Sequence, residues 1–494
     1  MMPKSKLKVL LLAYEVAPFI KVGGLGDVAG SLPLALSKLS VDCRVILPLY
    51  KAISRKKFKL KKKISGVRVP TGRGEHRIDI WEAPFPGTRI PVYFIDYKPF
   101  FGRNEVFGYK DDKQRFLFFG KAVTEAMKAL SFQADVLHCN DWHSGMVPVD
   151  INKEEKEDPE FCDVASVYTI HNLAYRKSLS MDVLDYAGLI ISDSDHLAED
   201  MKDDGKIDTA YQGIANADMV STVSPTYAKE ILTKEYGAGL QEVLKKRKSR
   251  LVGILNGIDY ASFDPMKDKN LKHNFNTKTL KKGKDKNKKA LQKELGLPEA
   301  DVPVLGIVTR LVWQKGVDIF VQALGSILKN NDVQVVVLGT GEKKLEAAIT
   351  KFAKQYPEKV SANIMFDVGL AERIYASSDF FLMPSRYEPC GLGQMIAMRF
   401  GTVVIARATG GLTDTVPDAS HGGVGFVFKP YNAKAFGATV KRALQYYKRG
   451  ADFDKLRARA MKQDFTWDRS AKEYVKLYKL AQKHNKAKKG GICA

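Results

Sequence analysis

The sequence predicts an α/β protein built from two doubly wound, mostly parallel sheets. Its 494 residues exceed what one domain usually holds, at roughly 150 residues per domain. Short apolar runs rich in branched side chains alternate with segments of helical period, which is typical of βα units. A content of 45% hydrophobic and 27% charged residues indicates an ordinary folded protein and excludes disorder, collagen and fibres.

The apolar runs place the strands in order along both halves. In the first half they predict strands at 9–13, 44–48, 91–95, 136–138, 166–170 and 219–223. In the second half they predict strands at 303–309, 334–338, 380–383 and 402–405. Helical spacing predicts a helix with the apolar positions Val317, Phe320, Val321, Leu324, Ile327 and Leu328. The same spacing predicts a final helix with Ala471, Tyr474, Val475, Tyr478 and Ala481.

The join between the halves is expected at 251–259, where a short apolar run ends in the turn-forming pair Asn256-Gly257. After it, residues 278–289 contain seven lysines in twelve positions. This composition favours an exposed loop. A second lysine-rich segment lies at 55–63, and Phe58 is the only aromatic residue in the two segments, so both are expected to be solvated surface rather than a nucleic-acid site.

Composition also limits partners and location. The 79 basic and 56 acidic side chains give a net charge of +23, which favours polyanions or phosphorylated small molecules as ligands. The five cysteines are widely spaced and form no CxxC pair, which argues against a disulfide framework and a zinc site; they are Cys43, Cys139, Cys162, Cys390 and Cys493. No apolar run approaches membrane length. A cytoplasmic protein without membrane association is therefore expected.

In sheets of this kind ligands bind beyond the carboxyl ends of strands, so the strand-to-helix turns are the candidate sites. The first is KVGGLGDV at 21–28, where Gly23 and Gly24 would let backbone amides approach a phosphate beside Lys21. A tight turn that only packs helix on strand fits the glycines equally well. Neither GxGxxG nor GxxxxGK[ST] occurs, so dehydrogenase and P-loop functions lose their main support.

Two further turns lie in the second half. RLVWQKG at 310–316 places Arg310 at a strand end and Lys315 at the next helix start, an arrangement suited to a diphosphate. The alternative is a pair of solvated charges. PSRYEPCGLGQ at 384–394 offers Glu388 as an acceptor for sugar hydroxyls and the amides of Gly391, Leu392 and Gly393 for a phosphate. Glu388 also fits a simple helix-dipole partner.

Three polar motifs follow other predicted strands: HCNDWHSG at 138–145, TIHNLAY at 169–175 and NGID at 256–259. Their histidines lack the HxxxH and HExxH spacings of metal sites. A lone histidine is usually a hydrogen-bonded packing residue, so no metal is expected.

Taken together and in this order, the motifs resemble the bacterial glycogen synthase and starch synthase family over nearly the whole chain. KVGGLGDV and PSRYEPCGLGQ carry the resemblance most specifically, with RLVWQKG and TGGL at 409–412 in support. The family implies a GT-B fold: two Rossmann-like domains facing across a cleft, with the last helix returning to the first. The expected domains are 1–252 with 466–494 for the glucan acceptor, and 253–465 for the nucleotide sugar.

The resemblance also implies a reaction and its residues. Glucose passes from a nucleotide sugar to the non-reducing end of an α-1,4-glucan, with retention of configuration and without metal or cofactor. The implied catalytic group is Glu388, Arg310, Lys315 and His171. The implied substrate contacts are Lys21, Gly23, Gly24, Asp27, Asp141, Asn256, Phe366, Gly391, Leu392 and Gly393.

The donor and some alternatives stay open at this point. ADP-glucose is favoured because Phe366 falls where the family commonly stacks an aromatic ring on adenine, although a Phe ending a strand is as often a core residue. UDP-glucose is the second donor. A related sucrose- or glycoside-forming enzyme, or a non-catalytic glycan- or RNA-binding protein, are the alternative functions. The oligomeric state is not indicated by the sequence.

Overall fold

The computed structural model describes residues 6–189, Leu197 and 206–489. The chain forms two compact units. Unit 1 takes in the described residues of 1–223, 228–254 and 467–494, and unit 2 takes in 224–227 and 255–466. Each unit has a sheet of mostly or wholly parallel strands with helices packed against it.

The main sheet of unit 1 has the order β11-β10-β7-β6-β1-β2-β5-β4-β3. Its strands are β1 Lys8–Leu12, β2 Asp42–Pro48, β3 Lys61–Thr71, β4 Gly74–Pro84, β5 Pro91–Asp96, β6 Val136–Asn140, β7 Ala165–Ile170, β10 Met219–Thr222 and β11 Leu251–Gly253. A separate antiparallel pair is formed by β8 Ser178–Ser180 and β9 Lys206–Asp208. All six strands predicted for the first half are present.

The sequence did not predict the β3–β4 hairpin, which pairs antiparallel with β5 and ends the sheet. Its strands are largely half-exposed, and β3 carries three lysines followed by Gly66 and Pro70. Register shifts within the pair disturb the alternation of apolar residues that normally reveals a strand. The sheet of unit 1 is therefore mixed rather than wholly parallel.

The helices up to residue 246 are α1 Gly24–Lys38, α2 Lys98–Phe101, α3 Asp112–Leu130, α4 Val147–Glu157, α5 Thr209–Asn216, α6 Pro225–Glu230 and α7 Gln241–Lys246. The chain returns to unit 1 with α16 Trp467–Lys489, whose apolar stripe is buried at Ala471, Tyr474, Leu477, Tyr478 and Ala481. This helix packs on α1, β6, β7 and β10.

Polar contacts also fix α16 in unit 1. The Tyr478 hydroxyl and His138 Nδ1 lie 2.9 Å apart, and His138 is completely buried on β6. Asn485 donates to the carbonyl of Val164 at 2.9 Å. The last helix is therefore an integral part of the unit formed by the first strands.

Unit 2 contains a six-stranded parallel sheet of order β14-β13-β12-β15-β16-β17. Its strands are β12 Val304–Val308, β13 Gln334–Leu338, β14 Val360–Asn363, β15 Phe380–Met383, β16 Val403–Arg407 and β17 Gly425–Phe428. Its helices are α8 Leu280–Glu294, α9 Val317–Asn330, α10 Lys343–Gln355, α11 Val368–Ser377, α12 Gly393–Arg399, α13 Gly410–Thr415, α14 Ala433–Tyr447 and α15 Ala451–Met461. The apolar face of α9 is buried as predicted.

The lysine-rich segment is a helix, so the expected exposed loop at 278–289 is wrong. Lys284 is buried and donates to the carbonyls of Ala376 and Phe400 and to Thr402 Oγ1 at 2.6–3.1 Å. Lys288 is buried against Asp379 at 3.0 Å. Lysine favours helices. The residues that contact Lys284 and Lys288 lie far away along the chain, so the composition of the segment alone could not reveal that one face of the helix is buried.

Cys43, Cys139 and Cys390 are buried free thiols. Cys162 is disulfide-bonded, a cross-link that the cysteine spacing did not predict, and Cys493 lies outside the described residues. Of the helices that the structure describes, none combines the length and apolarity needed to cross a membrane.

Candidate active site

The motifs of unit 2 meet at the carboxyl ends of three neighbouring strands. Arg310 and Lys315 follow β12, Glu388 follows β15, and Thr409 to Leu412 follow β16. Because β12, β15 and β16 are adjacent and parallel, their loops emerge side by side. Arg310 and Glu388 are 78 positions apart in the sequence, and the sheet brings their loops together.

Lys315 and Glu388 form an ion pair. The Lys315 Nζ lies 2.9 Å from Glu388 Oε1 and 2.7 Å from Oε2. Ser385 donates to Oε2 at 3.0 Å, and the Glu388 side chain is almost fully buried. An ammonium has three donors, so two bonds to Glu388 leave one for a ligand. Arg310 is exposed, with its Nη2 3.4 Å from Gln314 Oε1.

Two glycines allow these loops to approach each other. Gly316 has φ +72°, and a Cβ there would lie 1.9 Å from the carbonyl oxygen of Pro384. Gly410 has φ +46°, and a Cβ there would lie 2.0 Å from the carbonyl oxygen of Glu388. Any other residue at either position would therefore displace the backbone that carries Glu388.

The glycines after Glu388 open α12, which has only seven residues with Leu392 as its N-cap. Such a short helix contributes little dipole, so cationic side chains are the stronger anion ligands here. Asn256, at the NGID turn, is buried, and its Oδ1 has no hydrogen-bond partner within the described residues. The backbone amide of Asn256 donates to the sulfur of Cys390, next to Gly391.

Phe366 lies between β14 and α11 and is 89% exposed. The alternative that it is a core residue is therefore wrong. Met365 and Val368 beside it are also exposed, so the ring belongs to an apolar surface patch of the kind that binds ligands.

In unit 1, the KVGGLGDV turn is occupied by the protein's own carboxylate. Glu15 Oε2 accepts hydrogen bonds from the amides of Val22 and Gly23, the latter at 2.7 Å, and Glu15 also accepts from the amide of Gly26. Burial raises the pKa of Glu15, and these amides oppose the rise. The sequence predicted that the backbone amide of Gly23 binds a phosphate. In the structure this amide donates to Glu15 instead, so the prediction for it is corrected.

Two other residues of the turn remain open to solvent. Lys21 Nζ pairs with Asp27 Oδ1 at 2.7 Å, with both side chains more than a third exposed. A Cβ at Gly24 would meet nothing within 4 Å. An exposed pair of this kind contributes little stability and is easily exchanged for a ligand.

Asp141 ends β6 in a strained backbone conformation, φ +57° and ψ −178°. Its Oδ1 accepts from the amide of His171 at 2.8 Å, and its carboxyl also bonds to the amide of Asn172 and the hydroxyl of Tyr14. Burial raises its pKa to about 7 despite these bonds. A non-glycine residue held at positive φ is typical of functional sites.

His171 follows β7, next to β6, and contacts Asn140. Its Nε2 lies 2.8 Å from Asn140 Oδ1, while Asn140 Nδ2 donates to the carbonyl of Leu12 at 2.9 Å. That second bond orients the amide, so Nε2 of His171 carries the proton and Nδ1 is an acceptor. Burial lowers the pKa of His171 to about 3, so its imidazole is neutral near pH 7.

The other histidines of these motifs have different surroundings. His138 bonds to Tyr478 and Thr169. His143 is buried between the rings of Tyr14 and Trp142, and neither of its ring nitrogens has a hydrogen-bond partner within the described residues. Across the described part of the chain, no three His, Cys, Asp or Glu side chains are placed to hold a metal ion.

The sequence argument missed Glu15, Tyr14 and Asn140. Tyr14 and Glu15 end the first apolar run, and a polar pair at a strand end is the signal that pointed to Asp141. Asn140 stands within the quoted motif, but its role in orienting His171 depends on a contact between adjacent strands.

Comparison with known proteins adds the following. Residues 8–246 match the family model for the starch synthase catalytic domain, and residues 287–460 match glycosyl transferases group 1. Glycogen synthase of Thermosipho africanus is 46% identical, over 96% of this chain and 99% of the relative. Glycogen synthase of Thermotoga maritima is 42% identical over the same shares.

Two solved structures are also similar. The catalytic domain of starch synthase IV from Arabidopsis thaliana, bound to ADP and acarbose, is 34% identical with a TM-score of 0.88, over 97% of this chain and all of that one. This likeness confirms the predicted GT-B fold class. Sucrose-phosphate synthase from Thermosynechococcus elongatus is 18% identical with a TM-score of 0.60, over 96% and 98%, which reflects a shared fold.

Proposed function

The chain belongs to the starch and glycogen synthase family of glycosyltransferases, and we propose that it transfers glucose from ADP-glucose to the non-reducing end of an α-1,4-glucan, with retention of configuration. The observation that carries the proposal is the buried Glu388 carboxylate held by Lys315, with Arg310 on the same loop as Lys315. This group combines cations for a diphosphate with an acceptor for a sugar.

The departing nucleoside diphosphate gains negative charge as the anomeric carbon becomes cation-like. Arg310 and the remaining donor of Lys315 stabilise that charge, a role that a divalent metal has in other transferases. Glu388 holds Lys315 in place through two bonds before any ligand arrives. This pre-organisation avoids the cost of reorienting a cation at the moment of reaction.

The glucosyl group needs fixed acceptors and donors for its hydroxyls. A carboxylate offers about four acceptor positions, of which Glu388 uses three on Lys315 and Ser385. Asn256 supplies an amide oxygen that has no hydrogen-bond partner among the residues described. Within unit 1, we assign Asp141 and neutral His171 as contacts for sugar hydroxyls, His171 offering Nδ1 as an acceptor.

The remaining contacts concern the base and the diphosphate. The exposed ring of Phe366 is assigned to stack on adenine, and the ADP bound to the Arabidopsis relative supports an adenine donor. Lys21 is assigned to the donor through its ammonium, with Gly24 leaving space beside it and Asp27 releasing it on binding. The amides of Gly391 to Gly393 add weaker anion contacts.

The test is direct. The protein is incubated with glycogen and either ADP-glucose or UDP-glucose, and nucleoside diphosphate release and chain elongation are both measured. We expect both products with ADP-glucose, a lower kcat/KM with UDP-glucose, and activity that persists in EDTA. Absence of release with either donor would contradict the proposed function, whereas a preference for UDP-glucose would overturn only the donor.

A further inference from the structure

An aromatic surface lies beside the Lys315–Glu388 pair and has no role in the contacts described so far. It consists of Trp313, Tyr387 and Tyr431 together with the guanidinium groups of Arg386 and Arg407, and we call it the Trp313 platform. Trp313 is 47% exposed, whereas Trp142 and Trp467 are buried. With the half-buried Tyr387 and Tyr431, this indole forms an aromatic patch at the surface, a feature that marks ligand-binding sites.

The platform is held rigidly without any ligand. The Tyr431 hydroxyl donates to Asp318 Oδ1 at 2.6 Å. The guanidinium carbon of Arg386 lies 5.1 Å from the centre of the Trp313 ring and 5.4 Å from that of Tyr431. The Tyr387 ring meets Trp313 edge-on at 5.9 Å. These contacts fix the orientation of the indole, so a ligand would meet a preformed surface.

The platform shares its loops with the charged pair. Trp313 and Lys315 lie in one 3-10 turn, and Arg386 stands two residues before Glu388. The amide of Arg386 donates to the carbonyl of Gln314 at 2.9 Å, which joins the two loops. A ligand on the platform is therefore close to the group that binds the reacting sugar.

We propose that the Trp313 platform is a subsite for the glucan chain, at which a glucose unit stacks on the indole; this rests on the proposed function. A glucose ring has apolar C–H faces and a hydroxyl rim, which match a half-exposed indole that has the donors of the Arg386 guanidinium next to it. A nucleotide base is the less suitable occupant. Phe366 follows β14 at one edge of the sheet, whereas Tyr431 follows β17 at the opposite edge and Arg407 ends the neighbouring strand β16.

The test compares Trp313→Ala with Trp313→Phe and with the control Met266→Ala, which alters another exposed apolar residue of unit 2. Initial rates are measured with saturating donor and either glycogen or maltotriose, and retardation is measured in native gels containing glycogen. We expect Trp313→Ala to raise the KM for glycogen about tenfold and to weaken retardation, with kcat and donor KM on maltotriose within twofold. Trp313→Phe and Met266→Ala should remain near the wild type.

Other results would overturn the subsite. One is that Trp313→Ala leaves both the KM for glycogen and the retardation by glycogen unchanged. Another is that Trp313→Ala loses activity equally on glycogen and maltotriose and has a raised KM for the donor, because Trp313 would then act through the donor loop. If the wild type elongates nothing, the proposed function fails separately. Retardation by glycogen still decides the subsite: loss of retardation in Trp313→Ala alone supports it, and no retardation of the wild type contradicts it.

Discussion

The raised pKa of Asp141 predicts that its carboxyl destabilises unit 1 at neutral and higher pH. Burial raises this pKa to about 7, against 3.8 for an ordinary aspartate. Between these two values the folded state holds a proton that the unfolded state has lost, so the free energy of unfolding falls as pH rises. The two pKa values differ by about three, and at 1.36 kcal/mol for each pKa unit the free energy of unfolding falls by at most about 4 kcal/mol.

Asp141→Asn removes the ionisation while keeping an oxygen acceptor for the amide of His171. We therefore compare the free energy of unfolding of the variant with that of the wild type at each pH. This difference should be about 2–3 kcal/mol more favourable to the variant at pH 8 than at pH 5, because most of the interval between the unfolded and folded pKa values of Asp141 lies between these two pH values. For a unit of this size, 1 kcal/mol shifts Tm by about 2 °C. The Tm difference between variant and wild type should therefore be about 4–6 °C larger at pH 8 than at pH 5. Turnover should fall, because the assigned sugar contact loses its carboxylate.

Calorimetric scans from pH 5 to pH 8, without ligand, measure this difference. The two units can unfold in separate transitions, so the comparison uses the transition that Asp141→Asn shifts. Asp468→Asn, which removes an exposed carboxylate of the same unit, corrects for the loss of one negative charge. A Tm difference that stays constant across this pH range would refute the reasoning, because it would mean that Asp141 ionises as it does in the unfolded chain.

Four further predictions follow from the site. Arg310→Ala and Lys315→Ala should each lower kcat about a hundredfold or more at saturating donor, since each removes a preorganised charge partner; near-normal kcat in either would place the diphosphate elsewhere. Phe366→Ala should raise the KM for ADP-glucose more than that for UDP-glucose, because adenine overlaps the ring better; equal effects would end the stacking assignment. Glu15→Ala should lower the stability of unit 1 by about 2–4 kcal/mol in urea titrations, because it leaves the part-buried amides of Val22 and Gly23 without their acceptor, and Glu15→Gln should recover more than half of that loss because it keeps an acceptor oxygen; equal loss in both would mean that the charge of Glu15 is essential. Replacing the exposed lysines of α8 by serine should change neither turnover nor binding of a labelled RNA at physiological salt; tight wild-type binding abolished by the change would reveal a nucleic-acid site.

The strands and their carboxyl-end motifs could be predicted because burial on both faces leaves continuous apolar runs. β1 and β13 are examples, and each predicted strand of the main sheets is found within two residues. Once the strands are parallel and neighbouring, the positions of Arg310, Lys315 and Glu388 at one edge follow from the topology. Their pairing does not follow, because it depends on the distance between two loops.

The errors have a common physical origin in contacts between distant positions. The Gly23 amide was assigned to phosphate because glycine turns and helix starts attract anions, and the same physics attracts Glu15 from the preceding strand end. The helix at Leu280–Glu294 was missed because buried lysines cannot be distinguished from exposed ones by composition. In both cases the local sequence indicated the type of interaction but did not identify the distant residue that makes it.

The place of α16 in unit 1 has a consequence for synthesis on the ribosome. The first strands of unit 1 are complete by Ile254, but Trp467 emerges only after the whole of unit 2 has been made. At about 5–20 residues per second, this delay lasts roughly 10–40 s. During that time β6 and β7 lack the cover of Tyr474 and Tyr478, and His138 lacks its hydroxyl partner. The nascent chain therefore exposes an apolar groove that chaperones can bind, and the C-terminal unit can reach its native state before the N-terminal one.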